Sequence, residues 1–563
     1  MIGRIALSLA LLPVAAVPAQ AQGGVAPSLG SGGAAPASAP RGGGPNAGKR
    51  TRISPYIEIG QAVAADLTDG DVVTFTQLTA GIDASVTTRR VQVQANYQYQ
   101  RYLGWGDNGV DGQVHSGLAR GTVQLSRDLI LDAGAIATRA RADARGGGFG
   151  PLLNRSSLNS SQVYSLFAGP TFARRAGPLT VNAAYRFGYT KAEAPGFIDL
   201  TPGQRRLDIF DESTSHLVTG SIGTRPGSPL PIGLTLSGAG VREDASQLDQ
   251  QFVGAFGRLD GVLPVSRTVA LVGGVGYEKI EVSQRDPLRD KAGNIVTDES
   301  GRFVTDPDSP PRIAYDTDGL IWDAGVLWRP SPRTRLEARV GRRYGSMIYT
   351  GSFSSGRGEG AGFQISVYDA VTTFGRQLTG SLGALPTSYF GGSDPFGSAF
   401  GGCVFGGGQA PDGAPQPGGC LTPAFQSINS APFRARGIDA IWAVSRGGTR
   451  LGVGAGYSNR RYYLPPIPGT VVYRGNDESY YIQGFGQWAI DRRSGFTADL
   501  YGNYFVSGIA DAPDVWGGGA QGSYFRSFGR AYGSLSAGLY GFDVEGGDAD
   551  LVAQALLAMG VRF

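Results

Sequence analysis

The sequence predicts an all-β protein, an antiparallel up-and-down transmembrane β-barrel of about 22 strands, with about 20 as the smaller alternative. Three observations carry that prediction. Segment after segment alternates apolar and polar residues with period two. After residue 21 no run reaches the roughly 20 apolar residues of a membrane-crossing helix. The chain also ends on an alternating strand closed by an aromatic residue.

The alternation is regular. In 91–100 the odd positions are Val91, Val93, Ala95, Tyr97 and Tyr99, and the even ones Gln92, Gln94, Asn96, Gln98 and Gln100. In 179–189 Leu179, Val181, Ala183, Tyr185, Phe187 and Tyr189 share one face, opposite Thr180, Asn182 and Arg186. In 333–340 Leu336, Ala338 and Val340 oppose Arg335, Glu337 and Arg339. Successive strand residues point to opposite sides, so each segment has one apolar and one polar face. A soluble sandwich would bury the apolar faces, but its strands average only about 5–6 residues. A tilted membrane crossing needs about 9–11, the length many of these segments have. Tight polar connections recur at 87–90, 126–128, 174–177, 330–333, 446–449, 491–495 and 527–530. Between them lie long Gly/Asp/Pro-rich loops at 142–160, 191–212, 283–311 and 386–432, and this asymmetry is that of outer-membrane barrels.

The barrel is expected over 51–563. Its weakest strand, Arg376–Ala384, is included so that the long loop 386–432 falls at the same end as the other long loops. Counting back from Phe563, the positions Val561, Met559, Leu557, Ala555, Ala553 and Leu551 are all apolar. This resembles the C-terminal signature that the barrel-assembly machinery of outer-membrane barrels reads.

Composition narrows the chemistry. Of 563 residues 90 are Gly, and charged residues make up 17%, which excludes a charged disordered chain. With 2 His and 2 Cys, zinc-finger arrays, iron–sulfur clusters and most histidine-based metal centres are excluded, and no cofactor is expected. A net charge of +4 is too small for a nucleic-acid binder of this length. Only four of the 50 basic residues are Lys, namely Lys49, Lys191, Lys279 and Lys291.

The N-terminus is an address. Residues 1–21 carry Arg4, the apolar run from Ile5 to Val17 and the cleavage site Ala19-Gln20-Ala21, the pattern of a signal peptide. Gly, Ala, Pro and Ser fill most of 22–50, which predicts a disordered periplasmic linker. So short a linker cannot form the folded N-terminal plug of a TonB-dependent receptor.

The run Arg52-Ile53-Ser54-Pro55-Tyr56-Ile57-Glu58 opens the barrel. Further motifs are the central stretch from Trp328 to Ala338, then Gly341-Arg342-Arg343-Tyr344-Gly345, and Val367-Tyr368-Asp369-Ala370-Val371-Thr372-Thr373. Together they resemble the outer-membrane barrels encoded beside exosortase/PEP-CTERM and exopolysaccharide loci in Gram-negative bacteria. The resemblance spans most of 52–563. It implies a non-enzymatic role in exopolysaccharide export, with outer-membrane lipid and export components as partners. It carries over no catalytic residue.

Few side chains could do chemistry. His115 and Ser116 are neighbours and so point to opposite faces of a strand, which forbids a dyad. His216 shares a face with Thr214, and the plain reading of both histidines is a wall position. Cys403 and Cys420, exported and inside one loop, are most simply a disulfide. That staple holds either a surface loop or one folded inward to narrow the lumen. Arg186, Arg335, Arg339 and Arg343, with Arg434 and Arg436 as further candidates, are expected to line the pore. They suit polyanion passage unless acids such as Glu337, Asp323 and Asp369 neutralise them. The Asp-rich loop 283–311 lacks the ligand spacing of a calcium site. Aromatics at strand ends, Tyr102, Trp105, Tyr189, Trp322, Trp328, Tyr344, Tyr462, Tyr463 and Trp488, fit membrane girdles. The leading function is a channel for an envelope polymer, with a general diffusion porin, a barrel enzyme and a closed structural barrel as rivals.

Overall fold

The computed structural model describes residues 50–563 apart from 106–110, 143–158, 194–206, 229, 358–359, 392–394, 397–401, 410–414, 466, 471–472, 511 and 548. The expected signal peptide and all of the expected linker except Arg50 lie outside the described residues.

Twenty-two strands form one closed antiparallel sheet. The first eight are β1 (Arg50–Asp66), β2 (Val72–Thr87), β3 (Val91–Trp105), β4 (Gly112–Gln124), β5 (Leu129–Arg141), β6 (Ser160–Ala176), β7 (Leu179–Ala192) and β8 (Glu212–Thr224). Then come β9 (Gly233–Ala245), β10 (Gln250–Pro264), β11 (Val269–Gln284), β12 (Arg312–Ser331), β13 (Thr334–Arg343), β14 (Ser346–Gly356) and β15 (Ala361–Thr372). An insert follows with helix α1 (Phe374–Ala384) and a separate small sheet of β16 (Tyr389–Phe390), β17 (Cys403–Gln409) and β18 (Pro415–Cys420). The wall resumes with β19 (Phe433–Arg446), β20 (Thr449–Tyr462), β21 (Asp477–Ala489), β22 (Ser494–Val506), β23 (Val515–Phe528), β24 (Ala531–Val544) and β25 (Asp550–Arg562). Wall strands pair in order, β15 pairs with β19, and β1 closes on β25 from Tyr56↔Arg562 to Asp66↔Val552.

Connections at one rim span two to eight residues; the long ones all leave the other. Gly177 and Gly447 hold φ of 59° and 60° in two-residue turns, a backbone state a β-carbon disfavours. The wall's outer face is apolar: Leu236, Leu271, Leu500 and Leu535 are half exposed there. On β25 Leu557, Met559 and Val561 point out, as does Phe563 just beyond it, while Leu556 and Ala558 are buried inside. A sheet closed on itself leaves no free edge, and an apolar band around it can only be satisfied by lipid. No helix among the described residues is long and apolar enough to cross a membrane.

The number of strands is as expected, but one expected member is not a strand. Arg376–Ala384 belongs to α1. Phe374, Leu378 and Leu382 recur at helical spacing and are wholly buried, and Thr373 caps the first turn by accepting from the Arg376 amide at 3.3 Å. The long loop reaches its rim without an extra strand because β15, fifteenth in the wall, already ends there.

The wall also has a seam. β14 pairs with β15 only from Gly351↔Val367 to Gly356↔Gly362, so Ser346–Thr350 and Tyr368–Thr372 separate above it. All five residues of that β15 end are buried, including Asp369 and Val371, which strand alternation turns outward. Val371 joins a cluster with Ile348 of β14 and Val241, Phe252, Ile280 and Val282 from the inner faces of β9–β11. The top of β15 has therefore slipped inside the wall.

Candidate functional site

The site is the lumen, and the described residues of 373–432 occupy it. Nine residues of α1 are buried. Leu378, Leu382, Leu385, Leu421, Phe425 and Ile428 form a core with Leu118, Ile136, Val163 and Phe167 of the inner wall. Phe390, Phe405 and the two cysteines pack on Ile441, Ala443, Tyr481 and Phe485 across the lumen. Farther round, Phe396 sits among Ala62, Phe75, Tyr102 and Tyr540. The wall is hollowed to receive these groups. A β-carbon at Gly452 would lie 2.3 Å from the Phe405 ring, and one at Gly454 the same distance from the Cys403 sulfur.

Polar side chains of the wall hold the insert by its backbone. Arg120 donates to the carbonyls of Leu385 (3.1 Å) and Gly383 (3.2 Å), just where the helix ends and its carbonyls lack partners. Its position is fixed by Asp132 at 2.9 Å and by the Phe167 ring, 4.9 Å from its centre. Gln94 exchanges two hydrogen bonds with the backbone of Tyr389, at 2.8 and 3.1 Å. Gln77 donates to Pro395 (3.0 Å) and Tyr102 to Phe396 (3.3 Å). Arg460, fully buried, donates to Gln377 (2.7 Å), to the Ser427 carbonyl (3.3 Å) and to the Pro423 carbonyl. At the start of α1 the Thr373 hydroxyl donates to Glu243, and the Arg376 guanidinium lies 4.0 Å over the Phe252 ring.

Cys403 and Cys420 are joined by a disulfide within this insert. Of the two placements open to the loop from its sequence, the structure has the inward one. Replacing both cysteines by Ser removes a cross-link worth about 3 kcal/mol in unfolded-state entropy for a loop of this length. The expected result is a more mobile insert and higher single-channel conductance; unchanged conductance would mean that the packing alone fixes it.

The expected pore-lining residues lie on the wall's inner face, in ion pairs. Arg339 reaches Glu337 (2.7 Å), Asp323 (2.8 Å) and Asp260 (3.3 Å), and Arg335 reaches Glu337 at 3.3 Å. Arg258 completes this ladder on Asp260 (2.5 Å) and Asp323 (2.9 Å), three arginines against three acids. Arg343 is buried against Glu278 at 2.9 Å, and Arg186 is 3.9 Å from Asp132. Arg434 and Arg436 are not lumen residues. On β19 the inner face is Asp439, Ile441 and Ala443, so alternation places both arginines on the opposite face, at the seam with Asp369.

Four loops and the insert meet over the mouth. Arg289 donates to the Pro468 carbonyl at 2.5 Å, Ile209 bridges to Asn429, and Tyr473 bridges to Ile509. The acids of 283–311 are used locally: Asp290 accepts from the amides of Ala292 and Asn294, Asp298 from Ser300 and Arg302, and Asp286 pairs with Arg312. No metal-ligand cluster occurs among the described residues. Both histidines stand outside the barrel, His115 bonded to Tyr97 (2.7 Å) and His216 to Tyr185 (2.8 Å).

Asp208 fastens this mouth to the insert. It accepts from Ser430 of the insert (2.9 Å), from Gln247 (2.5 Å) and from the Phe303 amide (3.2 Å). Nearby, Arg302 pairs with Asp211 at 3.3 Å and donates to the Ala192 carbonyl at 2.7 Å. Loss of water pushes the Asp208 carboxyl up from 3.8 to about 7, against the pull of its donors and Arg302. An acid raised on enclosure takes up a proton as the mouth closes. Closure is therefore supported fully below 3.8 and loses that support as pH rises to about 7. Protection in 425–431, taken relative to the intrinsic exchange rate at each pH, should be lower at about pH 8 than at about pH 5, and Asp208→Asn should flatten the difference.

No family model matches the sequence, and no curated protein is similar to it. Among solved structures, the ferric-catecholate import receptor Fiu of E. coli K12 is similar at 11% identity and a TM-score of 0.40, over 90% of this chain and 81% of that one. The FrpB iron transporter of Neisseria meningitidis shows 10% identity and 0.38, over 91% and 81%. OpdQ of Pseudomonas aeruginosa shows 7% identity and 0.27, over 91% and 98%. The chain's own geometry defines its class: a closed, even-numbered antiparallel barrel with an apolar belt and polar lumen is a bacterial outer-membrane β-barrel. Its lumen holds an internal insert.

Proposed function

We propose that the protein is a non-enzymatic outer-membrane channel, gated by residues 373–432, that serves export of an anionic exopolysaccharide or another envelope polymer. The carrying observation is the insert itself. It fills a barrel wide enough to pass large solutes, and it is held by wall side chains that can let go, Arg120, Arg460 and Gln94, in place of continuous strand pairing. The ladder of Arg258, Arg335 and Arg339 is neutralised by Asp260, Asp323 and Glu337 in the closed lumen, so a polymer's carboxylates take these arginines only by displacing those acids. The polymer comes from the sequence resemblance, as do the export components proposed as partners.

Planar-bilayer conductance of the refolded barrel, recorded as it is and with the insert loosened by Arg460→Ala, each with and without an anionic exopolysaccharide, tests this reading. Block by the polymer is the expected result, and Arg335→Gln with Arg339→Gln should weaken that block and turn selectivity toward cations. Ion flow that the polymer leaves untouched would favour a general diffusion porin. A barrel silent even after the insert is loosened would be a structural one.

A further inference from the structure

The seam between β14 and β15 has a consequence independent of transport. β13 and β14 hold 10 and 11 residues, about the minimum for a tilted crossing, so their Tyr344-Gly345 tip lies at the outer membrane interface. Ser346–Thr350, unpaired with β15, descend from that tip through about 12 Å of the outer leaflet, at about 3.4 Å per residue and a tilt of about 45°. An open strand edge at that depth is costly unless covered.

The groups gathered beside it are cationic. Arg434 and Arg461 are directly opposed on β19 and β20, an arrangement that disfavours itself without a counter-charge. Asp369 answers Arg434, at 2.6 and 2.8 Å, and is shared with Arg436 at 3.2 Å. Arg434 also donates to Ser346 on the inner face of β14 at 2.5 Å, which fixes it between the overlapping layers. Three arginines thus face one acid. Arg436 is 47% exposed, and Arg461, also exposed, makes no ion pair among the described residues. Flanking the edge, Met347, Tyr349 and Ile438 present apolar surface to the membrane, at 44%, 64% and 43% exposure.

We propose that this seam is a binding site for a phosphate-bearing lipid of the outer leaflet. The headgroup lies on Arg436 and Arg461, and an acyl chain lies along Met347, Tyr349 and Ile438 to cover the open edge of β14. A guanidinium pair takes phosphate bidentately and strongly where water is scarce.

The test uses the full barrel in nanodiscs of phosphatidylcholine doped with phosphatidylglycerol. Lipid retained after transfer to detergent is counted by native mass spectrometry. The expected result is preferential retention of phosphatidylglycerol, reduced at least tenfold in Arg436→Gln/Arg461→Gln and largely kept in Arg436→Lys/Arg461→Lys. Heat-modifiable gel migration confirms that each variant is folded. Equal retention of both lipids, or undiminished retention in the Gln variant, would overturn the site. Release of the lipid by millimolar inorganic phosphate would also overturn it, by showing a free-anion site in place of a lipid one.

Discussion

Replacing residues 374–431 with a short Gly/Ser linker is expected to convert an occluded barrel into a steadily conducting one. The wall permits the excision because Thr372 and Phe433, which bracket the insert, are register partners at the end of the β15–β19 ladder. A tight turn can join them, and the other connections of the 22-stranded sheet are untouched. The operation removes the helix, the small sheet and the disulfide, and with them the apolar side chains that cross the lumen to Phe167, Ile441 and Phe485. Conductance should rise several-fold, toward that of a wide porin. The freed wall will expose Leu118, Phe167 and Tyr481 to water, so the variant should melt at a lower temperature while still migrating as a folded barrel. Conductance that stays at the parental level would show that current never passed where the insert sits.

Arg460→Ala should have the second-largest effect, and without shortening the chain. This side chain is wholly buried and holds two separated parts of the insert, Gln377 on the helix and the carbonyls of Pro423 and Ser427 beyond the small sheet. Removing a charged donor that leaves buried acceptors unmet costs about 3 kcal/mol. At about 1.4 kcal/mol per decade, the population with a loosened insert should grow about a hundredfold. Hydrogen exchange in 374–384 and 421–431 should accelerate by that factor while wall strands such as β23 keep their protection. Channel recordings should show frequent brief openings. Arg90→Ala, in a tight turn at the opposite rim, should do neither. Equal protection in both variants would mean that apolar packing alone retains the insert.

The wall could be read from the chain because a lipid-facing strand must alternate, and nothing else in the sequence imitates ten or more residues of strict alternation. Arg335, Glu337 and Arg339 were placed on one face by the same rule, and the structure adds the partners, Asp260 and Asp323, that lie far away in sequence. The rule fails where a segment leaves the wall. Arg376–Ala384 lies in a lumen, where helix and strand alike are enclosed; its signal was the four-residue spacing of Phe374, Leu378 and Leu382 after a capping Thr373. Arg434 and Arg436 resemble lumen residues because charge on an outer face is unexpected, yet the tucked end of β15 buries Arg434 and supplies Asp369 to both. Arg120 and Arg460 carry no local signal at all, since their roles depend on the insert they meet across the barrel.

The disulfide also sets a timetable for biogenesis. Both sulfurs are buried in the lumen against Gly454, beneath an insert that seals to the wall on several sides. Once the insert is seated, Cys403 and Cys420 are buried and an oxidant the size of a protein cannot reach them. Oxidation therefore belongs to the chain before the insert packs into the lumen. A cell short of thiol oxidants should accumulate barrels that insert normally yet leak, a defect of timing and not of membrane insertion.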